Sequence, residues 1–140
     1  GSSGATVQSY TTAVTIDSAA TDVAGLLQVD RIAGTTSAPS ISAGAAAGTS
    51  PTVSVTGTDL GGEIVVTTGT GSVGSGTLAT ITLNVAFAND CYPVLQAADA
   101  DARGVAVHIT HSSTGFAIVA GAVGWATSTE YRWTYIVAGR

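Results

Sequence analysis

The sequence predicts an all-β protein, an antiparallel β-sandwich of jelly-roll-like type, and three observations lead to this class. Charged residues make up only 9% of the chain, and lysine and methionine are absent. Small and β-branched residues take their place, and these suit closely packed strands better than long helices. From residue 51 onward, apolar residues alternate with polar ones, and turn residues interrupt them at short intervals, as in sandwiches and barrels.

The length of 140 residues predicts a single domain with an appended segment. We expect residues 1–4 to be an expression-tag remnant, since Gly1-Ser2 is typical of one. Residues 5–50 contain too few apolar side chains to enclose a core, which predicts an extended stalk ordered by packing against copies of itself. A flexible linker is the alternative for this segment. Residues 51–140 are then the β-sandwich head domain.

Seven strands are predicted in the head domain. The first two, 52–56 and 63–68, form a hairpin around the glycine-rich turn 57–62. The third strand has four apolar residues on one face, which predicts a core strand: Ile81, Leu83, Val85 and Phe87.

The other four strands follow the same alternation. The fourth, 94–97, begins after Pro93, which donates no ladder hydrogen bond, so we expect an edge strand. The fifth alternates through residues 105–110, and the sixth begins at Phe116. The last strand carries four large side chains on one face, which predicts burial: Tyr131, Trp133, Tyr135 and Val137.

The charge pattern excludes two classes of partner. The net charge is −5 and the four arginines are scattered, so no basic stripe exists for a nucleic acid backbone. No apolar run approaches the roughly 18 residues that span a bilayer, so we expect no membrane insertion. A charge-poor, apolar-rich surface keeps a monomer poorly soluble, which predicts a homo-oligomer. The lone Cys91 forms no internal disulfide, so packing and assembly must supply the stability.

Residues 57–70, Gly-Thr-Asp-Leu-Gly-Gly-Glu-Ile-Val-Val-Thr-Thr-Gly-Thr, resemble a pattern found in head domains of bacteriophage tail fibres. Segments 77–83, 92–95, 113–116 and 131–139 follow in the same order and spacing, so the resemblance covers about residues 43–139. It implies a homotrimer of β-sandwiches below an amino-terminal stalk, located in the virion tail fibre and extracellular. The implied partners are a host cell-surface saccharide or protein and other fibre or tail proteins. The chain departs from the pattern at Cys91, Asp99 and Asp101.

Catalytic, metal and cofactor sites are not predicted. Asp99 and Asp101 are the best carboxylate pair for glycan hydrolysis or calcium, but they flank an alanine in a turn, where Asp more often bonds nearby backbone. His108 and His111 lie three apart and do not share a strand face, as a metal pair would. The loop 71–76 lacks the lysine and following helix of a phosphate loop and the strand–turn–helix setting of a serine nucleophile.

Exposed aromatic rings beside polar loop groups are the usual device for binding sugars, and Tyr92 and Trp125 are the candidates. If the strands run antiparallel and the stalk enters at Pro51, the far tip holds the loops 57–62, 89–92 and 111–114, whereas Trp125 and Asp99 lie at the stalk end. The predicted receptor-binding residues are then five: Asp59, Asn89, Asp90, Tyr92 and His111. Burial of Tyr92 in the core or in a subunit interface is the alternative.

The function predicted from the sequence is that of a non-enzymatic tail-fibre module that trimerises and presents a distal surface for attachment to a host receptor, with a saccharide as the expected ligand. The alternative is a purely structural cap, trimerisation or decoration domain without a receptor of its own. A glycan-cleaving enzyme that uses Asp99 and Asp101 is a third hypothesis, and we expect no such activity.

Overall fold

Eight strands in two antiparallel sheets make up the part of the chain that the computed structural model describes, residues 33–34 and 36–140. The strands are β1 (Ser40–Ala43), β2 (Thr52–Thr58), β3 (Gly61–Thr67), β4 (Gly76–Thr82), β5 (Cys91–Ala97), β6 (Val107–Ser112), β7 (Gly115–Ala120) and β8 (Glu130–Gly139). The first sheet has the order β1-β4-β7-β6, and the second has the order β2-β3-β8-β5. The predicted all-β antiparallel class is confirmed. The trimeric state stays a prediction.

The core lies between the two sheets and centres on β8. Its four large inward side chains are each at most 2% exposed, which confirms the face predicted for the last strand: Tyr131, Trp133, Tyr135 and Val137. The first sheet contributes Leu78, Ile81, Phe116 and Ile118, and the ring of Phe116 lies 5.9 Å from that of Tyr135 between centroids. Alternation along each strand therefore fills the interior from both sides.

The lateral edges of the two sheets face each other. Strand β1 lies beside β2 on one side of the sandwich, and β5 lies beside β6 on the other. Strand β5, which contains Pro93, is an edge strand as predicted. Its alternate residues are exposed on the outer face of the second sheet, with Val94 at 68% and Ile136 of the neighbouring β8 at 65%.

The third predicted strand is shorter than expected, because it leaves the sheet after Thr82. Leu83 remains buried, but Val85 is 64% exposed, so its predicted place on the core face is wrong. The reason is that the carboxylate of Asp59 accepts hydrogen bonds from the backbone N–H groups of Asn84 and Val85. These two N–H groups therefore bond to Asp59 and not to a neighbouring strand, and the chain turns away from the sheet.

Residues 40–50 belong to the sandwich, which corrects the predicted boundary between stalk and head at residue 51. Strand β1 pairs with β4, with Ile41 opposite Ile81. A 3₁₀ turn, η1 (Ala45–Ala47), follows, and Ala46 and Ala47 are buried in the core. Small side chains allow this turn to pack closely against the core. In the sequence, the same small residues showed no recognisable strand pattern. The predicted tag remnant 1–4 and the stalk residues 5–32 lie outside the described residues.

The chain reaches the sandwich at a different end from the one expected. A Cβ at Gly34 would collide with the side chain of Thr58, and the Thr36 hydroxyl accepts a hydrogen bond from Asp59 N at 2.9 Å. Strand β1 then crosses the domain before η1 leads to Pro51. The expectation that the chain enters at Pro51 is therefore wrong. We call the end where the chain enters the Asp59 end and the opposite one the Pro51 end.

One short helix interrupts the β structure at the Pro51 end. Helix α1 (Ala100–Arg103) replaces the turn predicted there, and the Asp99 side chain caps it by accepting a hydrogen bond from Ala102 N at 2.7 Å. Among the described residues, no helix has the length and apolarity needed to cross a membrane.

Candidate functional site

Three of the five predicted binding residues meet at one corner of the Asp59 end. Asp90 immediately precedes β5, Tyr92 lies on β5 and His111 lies on β6. The Nδ1 atom of His111 lies 3.0 Å from Oδ1 of Asp90, and the rings of His111 and Tyr92 are 5.6 Å apart at an edge-on angle of 61°. We call these three residues the corner cluster. It joins the two sheets where their edge strands meet.

Local backbone contacts fix the carboxylate of the corner cluster. Asp90 Oδ1 also accepts a hydrogen bond from Cys91 N at 2.9 Å, which holds the side chain against the start of β5. Cys91 itself is buried, and its thiol donates to the carbonyl of Gly115 on β7 at 3.4 Å. Burial raises the pKa of that thiol above its ordinary value. Cys91 therefore anchors the corner and presents no reactive thiolate.

The electrostatics of the corner cluster define the roles of its polar atoms. The hydrogen bond from His111 lowers the pKa of Asp90, and the charge of Arg140 acts in the same direction. Because Oδ1 is an acceptor for both Cys91 N and the imidazole, Nδ1 of His111 must donate. The Nε2 atom of a neutral His111 is then an acceptor. Asp90 and His111 are each about one-third exposed, and Tyr92 is 47% exposed.

Asp59 and Asn89 have different surroundings from the other three candidates. The Asp59 carboxylate accepts hydrogen bonds from Asn84 N at 3.0 Å, Asn84 Nδ2 at 2.9 Å and Val85 N at 2.9 Å. Its oxygens are thus occupied by the chain itself. Asn89 is exposed, and its backbone N–H donates to the carbonyl of Arg140 at 2.7 Å. Both residues lie at the Asp59 end, but in the described part of the chain neither side chain forms a hydrogen bond with the corner cluster.

A groove of about 220 Å³ lies beside the corner cluster. It runs over the outer face of the first sheet, between β4 and β6, and His111 forms part of its wall. Five hydroxyl-bearing residues line it: Thr80, Thr82, Thr110, Ser112 and Thr114. We call it the hydroxyl groove. The alternation of hydroxyl-bearing residues on β4 and β6 was visible in the sequence, but the sheet order that brings them together was not.

A second, larger cavity of about 560 Å³ opens at the Asp59 end. Its lining is mainly apolar and includes Leu60, Val85, Phe87 and Val137, with Gly34 and Thr36 at its margin. Because Gly34 and Thr36 form part of its wall, this cavity lies between those two residues and the sandwich.

The other candidate residues for sugar binding, catalysis or metal binding lie apart from the corner cluster. Trp125 lies at the Pro51 end and packs on Tyr131, with ring centroids 4.8 Å apart. Asp99 is occupied as the cap of α1, Asp101 is exposed, and His108 lies exposed on the outer face of β6. Across residues 33–34 and 36–140, no three His, Cys, Asp or Glu side chains gather in a way that could hold a metal ion.

Comparison with known proteins adds no relative. No protein-family model matches this chain, and neither a curated protein nor a solved structure matches it.

Proposed function

We propose that this chain is a non-enzymatic module of a virion tail fibre, which assembles as an extracellular homotrimer and attaches to a saccharide or protein on the host cell surface. The observation that carries the proposal is the corner cluster, in which an aromatic ring, a carboxylate and an imidazole are exposed together on a rigid sandwich. The order and spacing of the tail-fibre-like motifs and the charge-poor composition support the same function.

The corner cluster has the features that a sugar-binding surface needs. A partly exposed ring such as that of Tyr92 packs against C–H groups, while the carboxylate and imidazole bond hydroxyl groups. The contacts of Asp90 with His111 and with Cys91 N hold the polar atoms in place before a ligand arrives. Such pre-organisation reduces the cost of ordering side chains on binding.

The described residues before β1 lie away from this surface. Thr36 and Ser37 reach the Asp59 end on the side of β1 and β2, where they contact Asp59 and Asn84. The corner cluster lies on the opposite side, at the edges of β5 and β6. The proposed attachment surface is thus the corner of the domain at the edges of β5 and β6.

The assembly part of the proposal is supported by an apolar patch on the outer face of the second sheet. Val94 pairs with Ile136 across β5 and β8. Val94 and Ile136 are each more than 60% exposed, and adjacent large apolar residues of this kind are typical of surfaces that become covered. Neither residue carries charge, so copies of a chain with a net charge of −5 can approach here.

A purely structural fibre domain is the second candidate, and the state of Asp59 favours it. Among the described residues, the carboxylate of Asp59 accepts hydrogen bonds only from Asn84 and Val85 of a nearby loop, as expected of a residue that stabilises the fold. If the corner cluster likewise only joins the two sheets, the domain would serve as a cap or trimerisation unit.

A cell-decoration experiment separates the two candidates. The fluorescently labelled chain is applied to a panel of bacterial strains, and bound fluorescence is measured for the wild type and for the variants Tyr92→Ala and His111→Ala. His108→Ala is the matched control, because His108 lies on the same strand but outside the corner cluster. Attachment predicts decoration of susceptible cells that both cluster variants lose and His108→Ala retains. If the folded wild-type chain decorates no strain while longer fibre chains do, the structural candidate is correct.

A further inference from the structure

The hydroxyl groove owes its shape to the residues that stand side by side in the first sheet. Ala117 of β7 lies between Thr80 of β4 and Thr110 of β6. Two pairs further along, on the same face, Gly115 lies between Thr82 and Ser112. The central strand thus provides a low floor, and the outer strands provide walls that carry hydroxyl groups.

The two floor residues leave the groove open for different reasons. Gly115 has a φ of 154°, and a Cβ there would collide with the backbone carbonyl of Ile81, so no side chain can be accommodated at this position. Ala117 contributes only a methyl group. The depth of the groove therefore depends on the backbone at Gly115 and on the small side chain of Ala117.

The lining defines the chemistry of a ligand. Thr80, Thr82 and Thr110 are exposed, and hydroxyl groups both donate and accept hydrogen bonds. His111 lies at one end of the groove, but its ring is on the other face of β6, where Nδ1 contacts Asp90. No arginine, aspartate or glutamate lines the groove. A ligand with many hydroxyl groups and no charge matches such a surface.

The size and the surroundings narrow the ligand class further. A volume of about 220 Å³ is below the roughly 300 Å³ at which pockets for drug-sized ligands begin, so the groove suits one sugar ring. The Asp90 carboxylate, next to His111, disfavours an acidic sugar, and no cation in the lining compensates for it. Tyr92 contacts His111 from the other side and can pack on the next ring of a chain.

We propose that the hydroxyl groove binds one neutral pyranose residue of a host-surface glycan, with the corner cluster contacting the adjoining residue. This inference rests on the proposed attachment function and specifies its ligand class and its primary subsite. It assigns the specificity to the outer face of the first sheet, on which none of the five residues predicted from the sequence places its side chain.

The test is a titration of the isotopically labelled chain with small sugars, in which binding is monitored by NMR. The probes are the methyl glycosides of glucose, galactose, mannose, rhamnose and N-acetylglucosamine, with methyl glucuronide as the charged comparison. We expect saturable shifts of the amide signals of Thr80, Thr82 and Thr110 with at least one neutral glycoside and none with the glucuronide. Shifts that cluster elsewhere, or no shifts with any neutral probe, would overturn the proposal.

Two groove variants and one control complete the test. Ala117→Leu fills the floor and is expected to abolish binding. Thr82→Val, which keeps the shape of the side chain, is expected to weaken binding about 3- to 10-fold, the effect of one lost hydrogen bond. Thr134→Val, an equally exposed threonine on the second sheet, should change nothing. Unaltered affinity in both groove variants would overturn the proposal.

The same variants distinguish failure of this inference from failure of the proposed function. If Tyr92→Ala abolishes cell decoration but Ala117→Leu and Thr82→Val leave it intact, the groove is not the subsite, while attachment through the corner cluster stands. If the wild-type chain decorates no cells, the attachment function fails, whatever the groove binds in solution.

Discussion

Replacement of Asp59 by alanine tests the distinction between a binding residue and a structural one at the Asp59 end. In the structure, its carboxylate holds the loop after β4 by three hydrogen bonds from Asn84 and Val85, each 2.9–3.0 Å long. Hydrogen bonds to charged groups contribute about 1.5–3 kcal/mol when they are well shielded, and neutral ones about 1 kcal/mol. Since Asp59 is half-buried and the loop is exposed, we take about 1 kcal/mol for each bond.

The variant Asp59→Ala should therefore lower the free energy of unfolding by about 2–3 kcal/mol. The measurement is urea denaturation followed by tryptophan fluorescence at a single protein concentration. Asp101→Ala is the control, because it removes the same charge from an exposed site and should shift the free energy by less than about 0.5 kcal/mol. If Asp59→Ala is as stable as that control, the assignment of Asp59 to loop stability is incorrect.

Three further predictions follow from the core and from the titrating groups. Trp133→Ala removes the largest buried side chain and should cost about 3–5 kcal/mol in urea denaturation, and a loss below 1 kcal/mol would contradict the packing. Burial, together with the charge of Asp59, raises the pKa of Tyr135 to about 12, whereas a tyrosine in the unfolded chain titrates near 10. Stability should therefore fall as the pH rises from about 10 to about 12, and Tyr135→Phe should flatten this fall, as measured by thermal melting across that window. The hydrogen bond from His111 lowers the pKa of Asp90, so its carboxylate stabilises the fold above its ordinary pKa, and this contribution is lost as the pH falls through the lowered value. The melting temperatures of the wild type and Asp90→Asn should accordingly converge only as the pH falls below the ordinary pKa of 3.8 and through the lowered value, and a constant difference over that range would contradict the assigned interaction.

Much of the fold was predictable because period-two alternation reports directly on which strand face is buried. The inward face of β8 followed from its four large residues, and the edge position of β5 followed from Pro93, which lacks a backbone donor. The end of β4 was not predictable, because the alternation continues to Phe87. What ends the strand is a carboxylate more than twenty residues earlier, and only the fold brings Asp59 next to Val85.

The first strand was missed for a different physical reason. Ser40–Ala43 has one large apolar side chain, Ile41, so neither its alternation nor its propensity distinguishes it from a linker. Pairing with β4 and burial of Ala46 and Ala47 on the core supply the stabilisation that the segment lacks by itself. This strand also reverses the end at which the chain enters, which strand counting from residue 51 could not show.

The candidate site was predictable in part. Counting antiparallel strands placed the loops of Asp90, Tyr92 and His111 at one end of the sandwich, and the structure brings those three side chains into contact. The same reasoning could not separate Asp59, whose oxygens are occupied by loop donors, because hydrogen-bond partners depend on distances between remote segments. The hydroxyl groove likewise required the order β4-β7-β6, which the pattern of threonines does not specify.

The measurement that tests the account most directly is the mass of the assembled particle in solution, determined by light scattering over a range of protein concentrations. A homotrimer of the 13.7 kDa chain has a mass of about 41 kDa, and the apolar patch of Val94 and Ile136 should then be covered by neighbouring copies. We expect the mass of the homotrimer down to micromolar concentration, and a lower particle mass for the variant Ile136→Glu. A folded particle of 13.7 kDa at every concentration would contradict the fibre interpretation.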